Sequence, residues 1–282
     1  MIASWTYTHL ENQSLVTQNS FMTLTLGMIT PHTPLLRETI GKENRARFNK
    51  TIAAFSYLQT KLTEINIDTI VVLAPHGRSE SNSFVLNIHR GYESDYSEFG
   101  DFSNGTTYKS DLDLMNRIRK LDTTGLPLGV TSEERIPYSI SLPLEEILER
   151  NTPVKIVPIH YGKLEREIYF QFGQQLQEIL QNTNKKVAVI ASSDLSHRLT
   201  KESPGGFSPQ GAKFDRKIKQ LLDKQAISDI LTLDQNFVDE AGECGLGAIL
   251  VLLGIFDQIN YSLKVLSYEN PFGVGCLSAI LR

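Results

Sequence analysis

Cysteine is scarce in this chain: 282 residues contain only Cys244 and Cys276. Two thiols cannot build a disulfide framework, and nothing in the composition implies export, so a reducing cytoplasm is the expected compartment. Long apolar runs are missing as well. The longest, residues 246–256, falls short of the roughly 20 residues that span a bilayer and is interrupted by Gly247 and Gly254, so it reads as a buried helix. Residues 1–21 have neither a charged leader nor an apolar segment, and are expected to be a polar tail rather than a signal or an anchor. There is no excess of positive charge either: 28 basic against 32 acidic side chains give a net charge of -4 with no basic patch, which sets nucleic acid aside. Internal repeats and low-complexity tracts are absent. What remains is ordinary globular usage, 40% apolar and 21% charged, in a chain long enough to bury a sizeable core without staples.

Short β-rich apolar runs, each followed by a turn and most then by helical periodicity, give the pattern of an α/β fold. We expect one catalytic domain over residues 22–282, three-layered around a mixed, mostly parallel sheet. The clearest strands are 23–29, 69–73, 83–88, 154–158 and 186–191, with a terminal strand pair at 261–268 and 273–281 joined by the turn Glu269-Asn270-Pro271-Phe272. Helices are expected at 42–65, 110–120, 144–150, 163–181, 210–224 and 243–259. The polar, aromatic segment 91–107 (GYESDYSEFGDFSNGTT) reads as an excursion that leaves the sheet and covers one end of it as a lid.

Of six histidines, four stand at or just after the end of a predicted buried strand. They are His32 in GMITPHTP, His76 in VVLAPHG, His160 in VPIHYG and His197 in VIASSDLSH. Open α/β sheets bind ligands beyond the carboxyl ends of their strands, so these four can converge despite their separation in sequence. Imidazole supplies the ligand, base and proton-shuttle roles that a metal site recruits. His9 lies in the tail and His89 ends a strand; neither is assigned chemistry. A ferrous site that activates oxygen commonly adds one carboxylate to two histidines, and Glu243, beside Gly242 where an apolar helix begins, is the candidate. Asp194 is expected to cap a short turn or orient His197, and Ser192 or Ser193 could donate to a bound anion. A serine hydrolase is disfavoured because no G-x-S-x-G turn is present.

The stretches ITPHTPLL, VVLAPHG, ASSDLSHRL, ESPGGFSPQGAKFD, EAGECGLGAILVLLG and SYENPFGVGCLSA together resemble the LigB superfamily, the class III extradiol ring-cleavage dioxygenases. Within it they are most similar to the branch called AmmeMemoRadiSam, whose relatives include the Memo proteins. The resemblance covers roughly residues 22 to 282, and ASSDLSHRL and the GECG motif are its specific parts.

The resemblance implies that His32, His76 and Glu243 hold Fe(II) and that His197 is the acid/base. The implied reaction opens a small catechol-like aromatic substrate with O2. Metal coordination lowers a hydroxyl pKa so that the substrate binds as an anion, and a second histidine handles the remaining proton. Two residues depart from the pattern. Tyr138 stands where a histidine is expected, so that His160 is the alternative for the missing acid/base group. Cys244, next to Glu243, matches the Memo-like relatives, in which the third ligand is cysteine and a softer ion such as zinc or copper is favoured. Adjacent residues at a helix start point about 100° apart, so one of the two faces the site; Glu243 is the expected ligand and Cys244 the alternative. The Memo-like alternative is a metal-binding protein that works beside a radical-SAM partner without dioxygenase activity. If the chain self-associates, a homodimer is the expected form.

Overall fold

In a computed structural model, the structure describes residues 24–77 and 82–282; the tail at 1–21, with His9, lies outside the described residues. The chain opens with β1 (Leu24–Thr30), a helical turn α1 (Glu38–Gly41) and the long helix α2 (Asn49–Ile65), then β2 (Thr69–Ala74), β3 (Phe84–Asn87), β4 (Gly91–Asp95) and β5 (Thr107–Ser110). After α3 (Leu112–Ile118) come β6 (Leu128–Thr131), β7 (Arg135–Pro137), α4 (Tyr138–Ile147), β8 (Lys155–Tyr161), α5 (Arg166–Gln181) and β9 (Val187–Ser192). Four helices, α6 (Gly211–Asp223), α7 (Ile227–Leu231), α8 (Gln235–Ala241) and α9 (Leu246–Ile255), precede the hairpin of β10 (Leu263–Glu269) and β11 (Cys276–Leu281).

The strands form one mixed, mostly parallel sheet flanked by helices, in the order β10-β11-β1-β9-β2-β8-β5-β4-β7, with β3 and β6 branching from β8. Its centre is parallel: β1 and β2 both pair with β9, and β8 pairs with β2. Every residue of β2 and β9 is buried, as a strand covered on both faces requires. β11 runs antiparallel against β1 and carries β10 as the outer strand, the antiparallel edge expected from the C-terminal turn. On the other side β8 is shared along its length, its start pairing with β5 and its end with β3.

One contact between helices has an unusual cause. Gly173 of α5 and Gly254 of α9 let the two backbones meet: a Cβ added at Gly173 would lie 2.2 Å from the Val251 carbonyl oxygen and 2.9 Å from Gly254 Cα. Helix α9 is buried along its whole length and packs also over β9, so this close crossing seats it against the sheet.

Two expectations change. Segment 91–107 is not wholly an excursion, because residues 91–95 are β4, paired with β5 and β7. Only the tip leaves the sheet, and it is tied down where Asp101 accepts from Arg37 Nε at 2.7 Å and from Thr39 Oγ1 at 2.5 Å. The helix expected to begin at residue 144 begins at Tyr138 and carries Pro143 in its interior. No helix among the described residues is long and apolar enough to cross a membrane.

Candidate metal centre

Strands β1, β9 and β2 lie side by side and parallel, so their carboxyl ends open together. His32 follows β1 and His76 follows β2, each two residues past the strand, while β9 runs into the loop that carries Asp194 and His197. His76 has φ of +60°, a left-handed conformation that a non-glycine residue holds only when its surroundings over-determine it. Opposite these strand ends, the turn from α8 to α9 supplies Cys244. Among the described residues, the ligand atoms of His32, His76 and Cys244 lie within 4.8 Å of one another.

The spacing suits a metal ion. His32 Nε2 is 3.5 Å from Cys244 Sγ. Zinc-to-nitrogen and zinc-to-sulfur bonds of about 2.0 and 2.3 Å at a tetrahedral angle would hold the two atoms about 3.5 Å apart. Burial keeps all three groups neutral without a cation. It lowers the His32 pKa to about 3, helped by His197, lowers that of His76 to about 4, and raises that of the Cys244 thiol. A bound cation would reverse the logic for sulfur and stabilise the thiolate.

The orientation of His32 traces back to a proline. Pro143 has no N–H to give the Ser139 carbonyl one turn earlier in α4, and that carbonyl instead accepts the Ser192 hydroxyl. Ser192 Oγ also lies 3.0 Å from His32 Nδ1. Since the serine proton is committed to Ser139, the imidazole must carry its hydrogen on Nδ1, which leaves the Nε2 lone pair for the cluster. The His32 backbone is held as well, its N–H donating to Asp194 Oδ1 at 3.0 Å.

Glu243, the expected third ligand, is not among the three clustered residues. Its Oε2 accepts the Leu246 N–H at 2.6 Å and so caps α9, and burial pushes its pKa up to about 7. Cys244 is aimed by its neighbours: Tyr161 Oη donates to its carbonyl at 3.0 Å, and Gly245 packs so closely on Ser193 that an added Cβ would lie 2.1 Å from Ser193 Oγ. The thiol therefore lies with the two imidazoles, while the carboxylate satisfies a helix end.

The structure brings His197 and Tyr138 to the cluster and leaves His160 aside. His197 Nε2 is 3.5 Å from Cys244 Sγ and 4.0 Å from Asp194 Oδ2, and burial lowers its pKa. Asp194 Oδ2 also lies 3.8 Å from His32 Nε2, beyond hydrogen-bond reach, so the hold of Asp194 on His32 is through the backbone N–H. The Tyr138 ring stacks on His76 at 5.9 Å and meets Phe99, from the tip after β4, at 4.9 Å. Its phenol pKa is raised by burial, then by Cys244 and Asp194, which makes it a hydrogen-bond donor and not a base. His160 sits inside β8; among the described residues its Nδ1 has no hydrogen-bond partner, and it faces Gly77, where an added Cβ would lie 2.1 Å away. It therefore explains the glycine of the APHG motif. His89, given no role, bonds through Nδ1 to the Gly91 carbonyl.

Fold and site together define a mixed-sheet α/β protein with a His/His/Cys cluster at the strand ends. A family model described as the catalytic LigB subunit of aromatic ring-opening dioxygenase matches residues 26–278. The chain belongs to the LigB family. A protein of Clostridium acetobutylicum is 26% identical over 257 residues, covering 88% of this chain and 55% of its own length, so the chain spans about half of that relative. A MEMO1 family protein of Methanocaldococcus jannaschii is 24% identical over 262 residues, with 91% of this chain and 81% of that protein covered. Another, from Methanosarcina barkeri, is 27% identical over 206 residues, covering 68% and 70%. The crystal structure of an uncharacterized Escherichia coli protein superimposes with a TM-score of 0.63 at 14% identity, covering 90% of this chain and 98% of that one, a likeness of fold.

Proposed function

We propose that the chain is a metal-binding protein of the Memo-like kind, with zinc or copper held by His32, His76 and Cys244. The observation that carries this reading is the pairing of Cys244 Sγ with His32 Nε2 at 3.5 Å while the Glu243 carboxylate is spent on the Leu246 N–H. A thiolate beside two imidazoles selects softer ions than a two-histidine, one-carboxylate set does. When bound, the ion supplies Lewis acidity or, as copper, one-electron chemistry. The chain's own residues do the rest: Ser192 orients the His32 imidazole, Asp194 holds the His32 backbone, Tyr138 can donate a hydrogen bond to an oxyanion, and His197 can take or return a proton. A reducing cytoplasm, which keeps Cys244 a thiol, and a radical-SAM enzyme as working partner complete the reading.

Metal analysis of protein purified without added metal tests it. About one equivalent of zinc or copper is expected, lost in Cys244→Ala and kept in Glu243→Gln. Retention of iron by Cys244→Ala, with loss in Glu243→Gln, would overturn it.

Family membership and the placement of His197 beside the cluster favour a second reading, a ferrous enzyme that opens a catechol-like ring with O2. Anaerobic loading with iron(II), followed by oxygen-electrode measurements over a catechol panel, tests this one. Absence of oxygen uptake with every substrate would refute it.

A further inference from the structure

A cavity of about 720 Å³, within the size range of small-molecule sites, lies at the opposite end of α4 from Tyr138, and no residue of the metal cluster lines it. The least exposed of its charged groups are already spent on one another. Arg37 pairs with Glu145 and, at 2.7 Å, with Asp101, and Arg45 pairs with Glu146 at 2.8 Å. Tyr108, on the same wall, is different: it is 7% exposed, and among the described residues its Oη has no hydrogen-bond partner. The residue is fixed in β5, opposite Tyr92 of β4. Burial, reinforced by Glu145 and Tyr96, pushes its pKa well above the usual phenol range, so the group is a neutral O–H donor.

A buried hydroxyl without an acceptor is costly and rare in folded proteins, and an absent ligand accounts for it. We infer that this cavity is a second binding site, for an uncharged polyhydroxylated molecule of the sugar or polyol class, with Tyr108 donating to one of its oxygens. Charge argues for a neutral occupant. Arg37 and Arg45 balance Glu145 and Glu146, so an ion of either sign would have to break an existing pair, while the remaining charges, Glu38, Glu149 and Arg150, are exposed and screened by water. Hydroxyl groups do not compete in this way. Each donates and accepts, and the paired carboxylates keep lone pairs, and the guanidinium groups N–H donors, to receive them. Leu144, Leu148 and Val154 give the cavity an apolar side as well, which suits a ring with C–H faces and a hydroxyl edge.

Isothermal titration of the full-length chain with glucose and maltose, and with the charged relatives glucuronate and glucosamine, tests the assignment on wild type and Tyr108→Phe. A neutral sugar is expected to bind wild type, with affinity falling about three- to tenfold in Tyr108→Phe, as loss of one ordinary hydrogen bond predicts. Failure of both neutral sugars to bind wild type, or equal binding by the variant, overturns the inference. Tighter binding of glucuronate or glucosamine through Tyr108 overturns the choice of a neutral ligand. Without sugar, the melting temperature of Tyr108→Phe is expected to match or exceed that of wild type; a fall would mean that the hydroxyl is already satisfied within the fold, and would overturn the premise. Affinity is expected to be the same with and without bound metal, and sugar binding that requires metal would place the ligand at the cluster and refute a separate site.

Discussion

Asp215 on α6 is 1% exposed, and its two oxygens accept from Ser196 N–H at 2.9 Å and Tyr268 Oη at 2.6 Å. Burial raises its pKa from 3.8 to about 6, against the opposing pull of those bonds and of Lys219. The folded state therefore binds this proton more tightly than the unfolded chain. Its contribution to stability is complete below pH 3.8, fades as pH rises through about 6, and is gone above that. A shift of this size is worth about 3 kcal/mol. Asp215→Asn keeps an oxygen for Ser196 and turns an amide N–H toward the Tyr268 oxygen, while removing the charge. Stability measured by urea titration at intervals from pH 4 to 7.5 should show the variant gaining on wild type by about 3 kcal/mol across that window, and holding the gain above it. For a protein of this size that is a swing of about 6 to 12 °C in the difference between melting temperatures. If the two curves run parallel across the pH range, Asp215 is ionised at no cost in the fold and the reasoning fails. The outcome bears on the metal centre because Ser196 belongs to the loop that carries Asp194 and His197.

Removing the hydroxyl that fixes the His32 tautomer, in Ser192→Ala, is expected to weaken metal binding about 10- to 100-fold with the fold intact, measured by competition with a chelator. Gly173→Ala places a methyl where α5 and α9 touch backbone to backbone, so a loss near the upper end of the usual 1–3 kcal/mol for overpacking is expected in denaturant unfolding. An unchanged midpoint would mean that the helices separate freely. In Asp111→Ala, α3 loses its cap at Leu114 N–H and Lys185 loses the nearer of its two carboxylate partners, 2.6 Å away, keeping Asp113 at 3.3 Å; about 3 kcal/mol of destabilisation is expected by the same measurement.

Much of this architecture is readable from residue order, and the exceptions share a cause. Strands β1, β2, β8 and β9 declare themselves as apolar β-rich runs ending in turns, and the residues just past their ends mark out one edge of the sheet. The hairpin of β10 and β11 follows from its Asn-Pro turn. By contrast β4 is polar because it pairs near the edge of the sheet, where one face stays wet, so its composition mimics a loop. Helix α4 begins six residues early because Pro143, which reads as a helix start, is tolerated inside by a serine 49 positions further on; that compensation has no local signature. The same holds for Glu243 and Cys244. Adjacency shows that only one of them can face the strand ends, but which one does depends on Tyr161, Ser193 and Leu246, contacts that only the finished fold supplies.

His32 and Cys244 stand 212 positions apart, with the central sheet and its crossover helices between them. A nascent chain that has released β1 and β2 owns two imidazoles and no sulfur to complete the set. An ion held by this set could not act as a nucleus for assembly, as it does in small zinc modules that fold around their metal. It would work as a latch thrown last, on a molecule whose strands are already in register. Such a latch favours the closed state by mass action, by about 4 kcal/mol when free ion exceeds its dissociation constant a thousandfold. Metal occupancy would then report how much of a preparation has reached its final form.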